Sequence, residues 1–145
     1  MDQSTGLWLA RLMRANIDEL ATEVTADARR RVPVYAAMPT QELHAAFIAS
    51  FRTVAETFAT GDLTPMRDHL RAIVEERSRT GASATSLIEV ISCTRAAIDH
   101  LIDRDSSAGP DRKAEAKRLS ASVFNNMRMI FSEANLRALT QPQKR

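Results

Sequence analysis

The stretch SLIEVISCTRAAIDHLI, residues 86–102, decides the fold. Leu87, Ile91, Thr94, Ile98 and Leu101 recur at steps of three and four, so they line one side of an α-helix. Ile88, Val90 and Ile102 widen that stripe beyond what a surface helix carries. The segment is therefore expected to be central and covered on more than one side. Cys93 falls mid-helix between Ser92 and Thr94, the setting of a small buried thiol. Arg95 and Asp99 stand one turn apart and can pair along the helix. Glu89 needs a partner if it is covered, and a link to Arg77 across the 81–83 turn is the expected brace.

Punctuation on either side places further helices. Ser83 or Ser86 can cap the central segment, and Ser86–Glu89 fits the reciprocal capping pattern. Upstream, Thr64-Pro65 reads as a helix start, because proline suits the first helical position. Met66, Leu70, Ile73 and Val74 follow, up to a stop at Gly81. Before that, Pro39-Thr40 opens a helix carrying Leu43, Phe47, Phe51, Val54 and Phe58, closed by Gly61-Asp62. A first helix carries Leu9, Met13, Ile17, Leu20 and Val24, with Ser4 or Thr5 as its cap and Pro33 as its end. Val32-Pro33-Val34-Tyr35 is then a short extended or single-turn link. Downstream, Ser106 to Pro110 is a loop, and a last helix from about Asp111 to Leu139 presents Leu119, Val123, Met127, Ile130 and Ala134. No segment alternates with period two. The expected fold is all-α: five or more helices in a globin-like bundle, one domain over 1–139, with 140–145 a tail or the start of a linker.

Composition narrows the function classes. The chain has 145 residues and a net charge of +2, with 20 Lys and Arg against 18 Asp and Glu. Residues 1–110 hold 12 cations and 15 anions, whereas residues 111–145 hold 8 and 3. The basic excess thus belongs to the last helix and tail, too little for nucleic-acid binding by bulk electrostatics. It reads as a solvated face or a place where a partner attaches. One cysteine excludes an intrachain disulfide framework. No apolar run is long enough to span a membrane, and the start lacks the basic-then-apolar pattern of a secretory signal. A cytoplasmic protein is the expectation.

Catalytic chemistry has little to build on. His44, His69 and His100 fall on separate helices, with no zinc-binding spacing among them. A nucleophile elbow and a phosphate loop are both lacking, so no enzyme and no metal site is expected. Haem is the one cofactor that an all-α fold of this size suits, with His100 as first candidate for the axial ligand and His69 as second. A small-molecule pocket between the helices carrying Met66, Leu87 and Leu119 would draw on Ile73, Arg77, Ile91, Arg95 and His100.

Three segments in order carry a family resemblance. Pro33-Val34-Tyr35 with Met38-Pro39-Thr40-Gln41-Glu42-Leu43 resembles the opening of the N-terminal sensor domain of RsbR-type stressosome proteins, the RsbT co-antagonists. Phe58-Ala59-Thr60-Gly61-Asp62 resembles the end of that domain's next helix, and Arg77 through Ile88 is similar to its following arginine- and glycine-containing segment. The resemblance implies a non-haem, globin-like domain that forms homodimers and has no catalytic activity. It also implies an output on the same or another chain: a STAS domain, a kinase or a transcription regulator. No ligand-binding residues carry over. Wide apolar stripes fit a dimer, for which Trp8 and Leu12 of the first helix and Phe124, Met127 and Phe131 of the last are the candidate face. The same residues would equally complete a core within one copy.

Overall fold

The computed structural model describes residues 3–80 and 83–140, apart from the side chains of 77–80, 84 and 138–140. It is an all-α bundle: α1 (Gln3–Ala15), α2 (Ile17–Arg31), α3 (Pro33–Ala36), α4 (Thr40–Thr60), α5 (Thr64–Thr80), α6 (Ala84–Arg104) and α7 (Pro110–Thr140). No strand occurs among the described residues. Five helices close a ring, in which α4 packs on α2, α2 on α6, α6 on α7, α7 on α5 and α5 on α4. The first helix lies chiefly on α4, touching α7 beside it.

The single first helix expected from the stripe is two helices, broken at Asn16. Asn16 Nδ2 donates to Leu12 O at 2.8 Å, occupying the carbonyl that the next helical N–H would use. The Asn16 N–H turns instead to Met13 O at 3.1 Å, a tighter turn, and the backbone leaves helical angles there. A short amide side chain competing with the backbone is a known cause of such a break. Ser4 and Thr5, expected as caps, lie within α1. Past α2, the link at Pro33 takes its single-turn form as α3.

Other ends follow their punctuation. Gly61 takes φ 74°, the left-handed conformation that closes α4, and its N–H reaches Thr57 O at 2.8 Å. Asp62 then accepts from the Thr64 N–H at 2.9 Å, which holds its carboxyl below the ordinary range and starts α5. Ser83, not Ser86, caps α6, accepting from the Ser86 N–H at 3.1 Å. The last helix continues to Thr140, while Gly81 and residues 141–145 lie outside the described residues.

The central helix lies between α2 and α7, with Leu87, Ile91, Cys93, Ala97, Ile98, Leu101 and Ile102 buried. Burial raises the Cys93 thiol, which stays protonated and apolar in character. The α2–α6 seam carries an antiparallel row of polar pairs: Arg104 with Glu19 at 3.2 Å, a His100–Glu23 hydrogen bond at 3.0 Å and Arg31 with Glu89 at 3.2 Å. Such exposed pairs set register more than they add stability.

Helix α1 comes close to the α4 backbone. Gly6 is buried, and a methyl group there would meet the Phe58 carbonyl oxygen at 2.2 Å. Only glycine permits that separation, so it fixes where α1 crosses α4.

Candidate functional site

On its other side, α4 borders a cavity. About 330 Å³ is open among α4, α5, α6 and α7, the lower end of the range for small-molecule pockets (~300–1,000 Å³). Its floor is made by Phe47, Val54, Leu70, Ile91, Met127 and Phe131, with Tyr35 of α3 at one edge. Ala46 and Ala49 on α4 and Ala72 on α5 line it while remaining exposed, so the mouth lies between these two helices. Helical spacing explains the lining. Residues 43, 46, 47, 50 and 54 of α4 and 66, 69, 70 and 73 of α5 each share one face.

The cavity has one polar couple. Ser50 Oγ and His69 Nε2 share a hydrogen bond of 2.8 Å across the α4–α5 gap. Burial lowers the His69 pKa, so the ring is neutral at neutral pH. Thr53 Oγ1 donates to Ala49 O at 3.1 Å and Thr94 Oγ1 to Val90 O at 2.9 Å, which commits both hydroxyl hydrogens to the helices. Glu76 stands exposed at the rim. Among the described residues lining the cavity there is no Lys or Arg.

The residues expected from sequence fall in different places. Ile73 and Ile91 line the cavity. Arg95 does not; it pairs with Asp99 at 3.7 Å as adjacent turns suggest. His100 is also elsewhere, exposed on the α2–α6 seam against Glu23. The Arg77 side chain, and with it the expected link to Glu89, lies outside the described residues, and Glu89 accepts from Arg31. His69, the second choice as a haem ligand, is the histidine that reaches the cavity. Sequence reasoning missed Ser50 and the three alanines. Ser50 was visible as a polar residue flanked by Phe47, Phe51 and Val54, but its partner is nineteen residues away.

Of the candidate dimer face, Phe124, Met127 and Phe131 are buried in the chain's own core, and Trp8 and Leu12 are half-buried against it. The exposed large apolar side chains of α7 are Met129 and Leu136, each 63% exposed. The basic residues of α7 are partly engaged within the chain. Arg112 donates to Ser4 O at 3.3 Å beside the Trp8 ring, Lys113 to Asp103 O at 2.9 Å, and Lys117 pairs with Asp103.

Among the described residues, no group of acidic, histidine and cysteine side chains could hold a metal ion, and no helix is long and apolar enough to cross a membrane. No curated protein and no solved structure matches the chain. A family model does: the RsbT co-antagonist protein rsbRD N-terminal domain, over residues 18–131. The matched stretch starts in α2 and runs into α7, taking in every helix that walls the cavity. Helix α1, with its glycine-defined crossing, precedes it. By that match the chain belongs to the family of RsbT co-antagonist RsbRD N-terminal domains.

Proposed function

We propose that this chain is a non-catalytic sensory domain of a bacterial stress-signalling protein, passing a signal through a helical homodimer to an output module in the cytoplasm. The family match over 18–131 is the observation that carries the reading. The all-α architecture is compatible with a regulatory role of that kind. The output is a STAS domain, a kinase or a transcription regulator, on this or a partner chain. Neither nucleic acid nor membrane is a partner in this reading.

For the dimer, Phe124, Met127 and Phe131 support a face on α7 only from beneath, since they are spent inside one copy. The outer surface of α7 around Met129 and Leu136, two turns apart on one side, supplies the contact. Trp8 and Leu12 border the bundle at α1 and remain part of the proposed face. Native mass spectrometry tests this directly. The expected result is a dimer that Met129→Glu with Leu136→Glu converts to monomer, with helical content unchanged. A monomeric wild-type protein refutes the dimeric relay.

The cavity favours a second reading, a small-molecule sensor on the same fold. Haem is a poor occupant. His69 Nε2 is already bonded to Ser50, and the described lining offers no Lys or Arg for the propionates of a haem. Purified protein that takes up added haemin with a Soret band lost in His69→Ala overturns that judgement.

A further inference from the structure

We propose that the cavity opening between α4 and α5 binds one uncharged, mainly apolar small molecule with a single hydrogen-bond donor. The proposal deepens the sensory reading by giving the stimulus a chemical class, and it rests on that reading only for its biological meaning. Packed cores leave few voids larger than a water molecule, and open space in them costs stability. Here a cleft of about 330 Å³, with its mouth between α4 and α5, enters a bundle whose seam on the other side of α4 is brought to close contact by a glycine. A buried water needs two to four polar partners, and this wall is mostly apolar, with the Thr53 and Thr94 hydroxyl hydrogens committed to backbone carbonyls and Ser50 bonded to His69. An apolar occupant fills the space better than water does.

Charge and hydrogen bonding narrow the class. None of the described lining residues is Lys or Arg and Glu76 stands at the rim, so among those residues a carboxylate or phosphate finds no counter-ion and meets a like charge. A permanent cation would be desolvated in an apolar chamber with no anion at its floor. An uncharged molecule avoids both costs. Thr53 and Thr94 have given their hydrogens away, so they offer lone pairs, which one hydroxyl or N–H on the ligand can use. Ser50 and His69 tie α4 to α5 at the cavity wall, where an occupant changes the spacing of these two helices. The alanine mouth gives entry without unfolding either helix.

The test is a fluorescence titration of the full chain with N-phenyl-1-naphthylamine, an uncharged apolar dye with one N–H. A saturable rise at one dye per chain is expected. Plugging the mouth with Ala72→Phe, and separately Ala49→Phe, is expected to weaken binding at least about tenfold. Both positions are exposed, and circular dichroism of each variant checks the fold. The anionic analogue 8-anilinonaphthalene-1-sulfonate is expected to bind about tenfold more weakly than its uncharged counterpart. Non-saturating dye uptake, or unchanged affinity in the folded plug variants, overturns the site. Equal affinity for the two dyes overturns the uncharged class. Native mass spectrometry on the same samples reports the dimer separately, so failed dye binding with an intact dimer leaves the regulatory reading standing.

Discussion

Two of the seams of helix α4 are opposite in character. Against α1, Gly6 brings backbone to backbone, with Leu9, Ala10 and Met13 of α1 wholly buried. Against α5, alanines and a serine–histidine bond stand around open space. One seam is fitted and the other is held apart, though both are read from the same twenty-one-residue helix. The contrast separates two jobs that a single helix can do. A fitted seam fixes position, because any added atom strikes backbone. A gapped seam tolerates change, and its polar tie sets a spacing that an occupant can alter.

The strongest way to break the contrast is to add one carbon at the fitted seam. Gly6→Ala puts Cβ against the Phe58 carbonyl oxygen, a backbone atom that no rotamer change can move. Overpacking typically costs about 1–3 kcal/mol, and a clash with backbone puts this one at the top of that range. Urea denaturation should show that loss, together with detachment of α1 seen as faster amide exchange there. A loss within experimental error means α1 does not cross α4 as described.

Removing atoms sharpens the same contrast. Leu9→Ala, in the wholly buried α1 face, is expected to cost about 3 kcal/mol, transfer and cavity terms combined. Ile73→Ala, half-buried at the gapped seam, removes atoms that already border space, and about 1 kcal/mol is expected. The measurement is the difference in urea midpoints at equal slope. Equal losses at the two positions contradict the claim that one seam is fitted and the other is not.

How much of this was legible depends on whether the cause is local. Gly61 and Thr64-Pro65 announce a stop and a start, because a left-handed closing residue and a proline at the first turn are backbone constraints. Asn16 was missed because the apolar stripe runs straight through it; the break lies in a side chain that takes Leu12 O for itself. Of the residues that widen the 86–102 stripe, Ile102 is buried, but Val90 is half-buried and Ile88 is exposed, so the width overstated how far the helix is covered. The cavity left little trace in sequence, since it is a shortfall of volume shared by four helices. Its lining isoleucines, Ile73 and Ile91, were readable as apolar positions. Arg95 and His100 flank apolar residues, which pointed them toward a pocket, yet their helical phase turns them to an ion pair with Asp99 and a hydrogen bond with Glu23 on other faces.

The smallest expected effect concerns the tie across the gapped seam. Burial depresses the His69 pKa below its ordinary 6.5, so the folded chain resists a proton that the unfolded chain accepts. Stability from the neutral ring is therefore fully present above pH 6.5 and lost as pH falls through the lower folded value. His69→Gln keeps a hydrogen-bonding group near Ser50 and cannot titrate. The difference in unfolding free energy between wild type and variant should be flat above pH 6.5 and shift in favour of the variant below it. Other carboxylates and histidines titrate in both proteins and cancel in that difference. A difference that stays flat into the acid range would show that His69 is solvated in the folded state, and the α4–α5 seam would then be wetter than its lining implies.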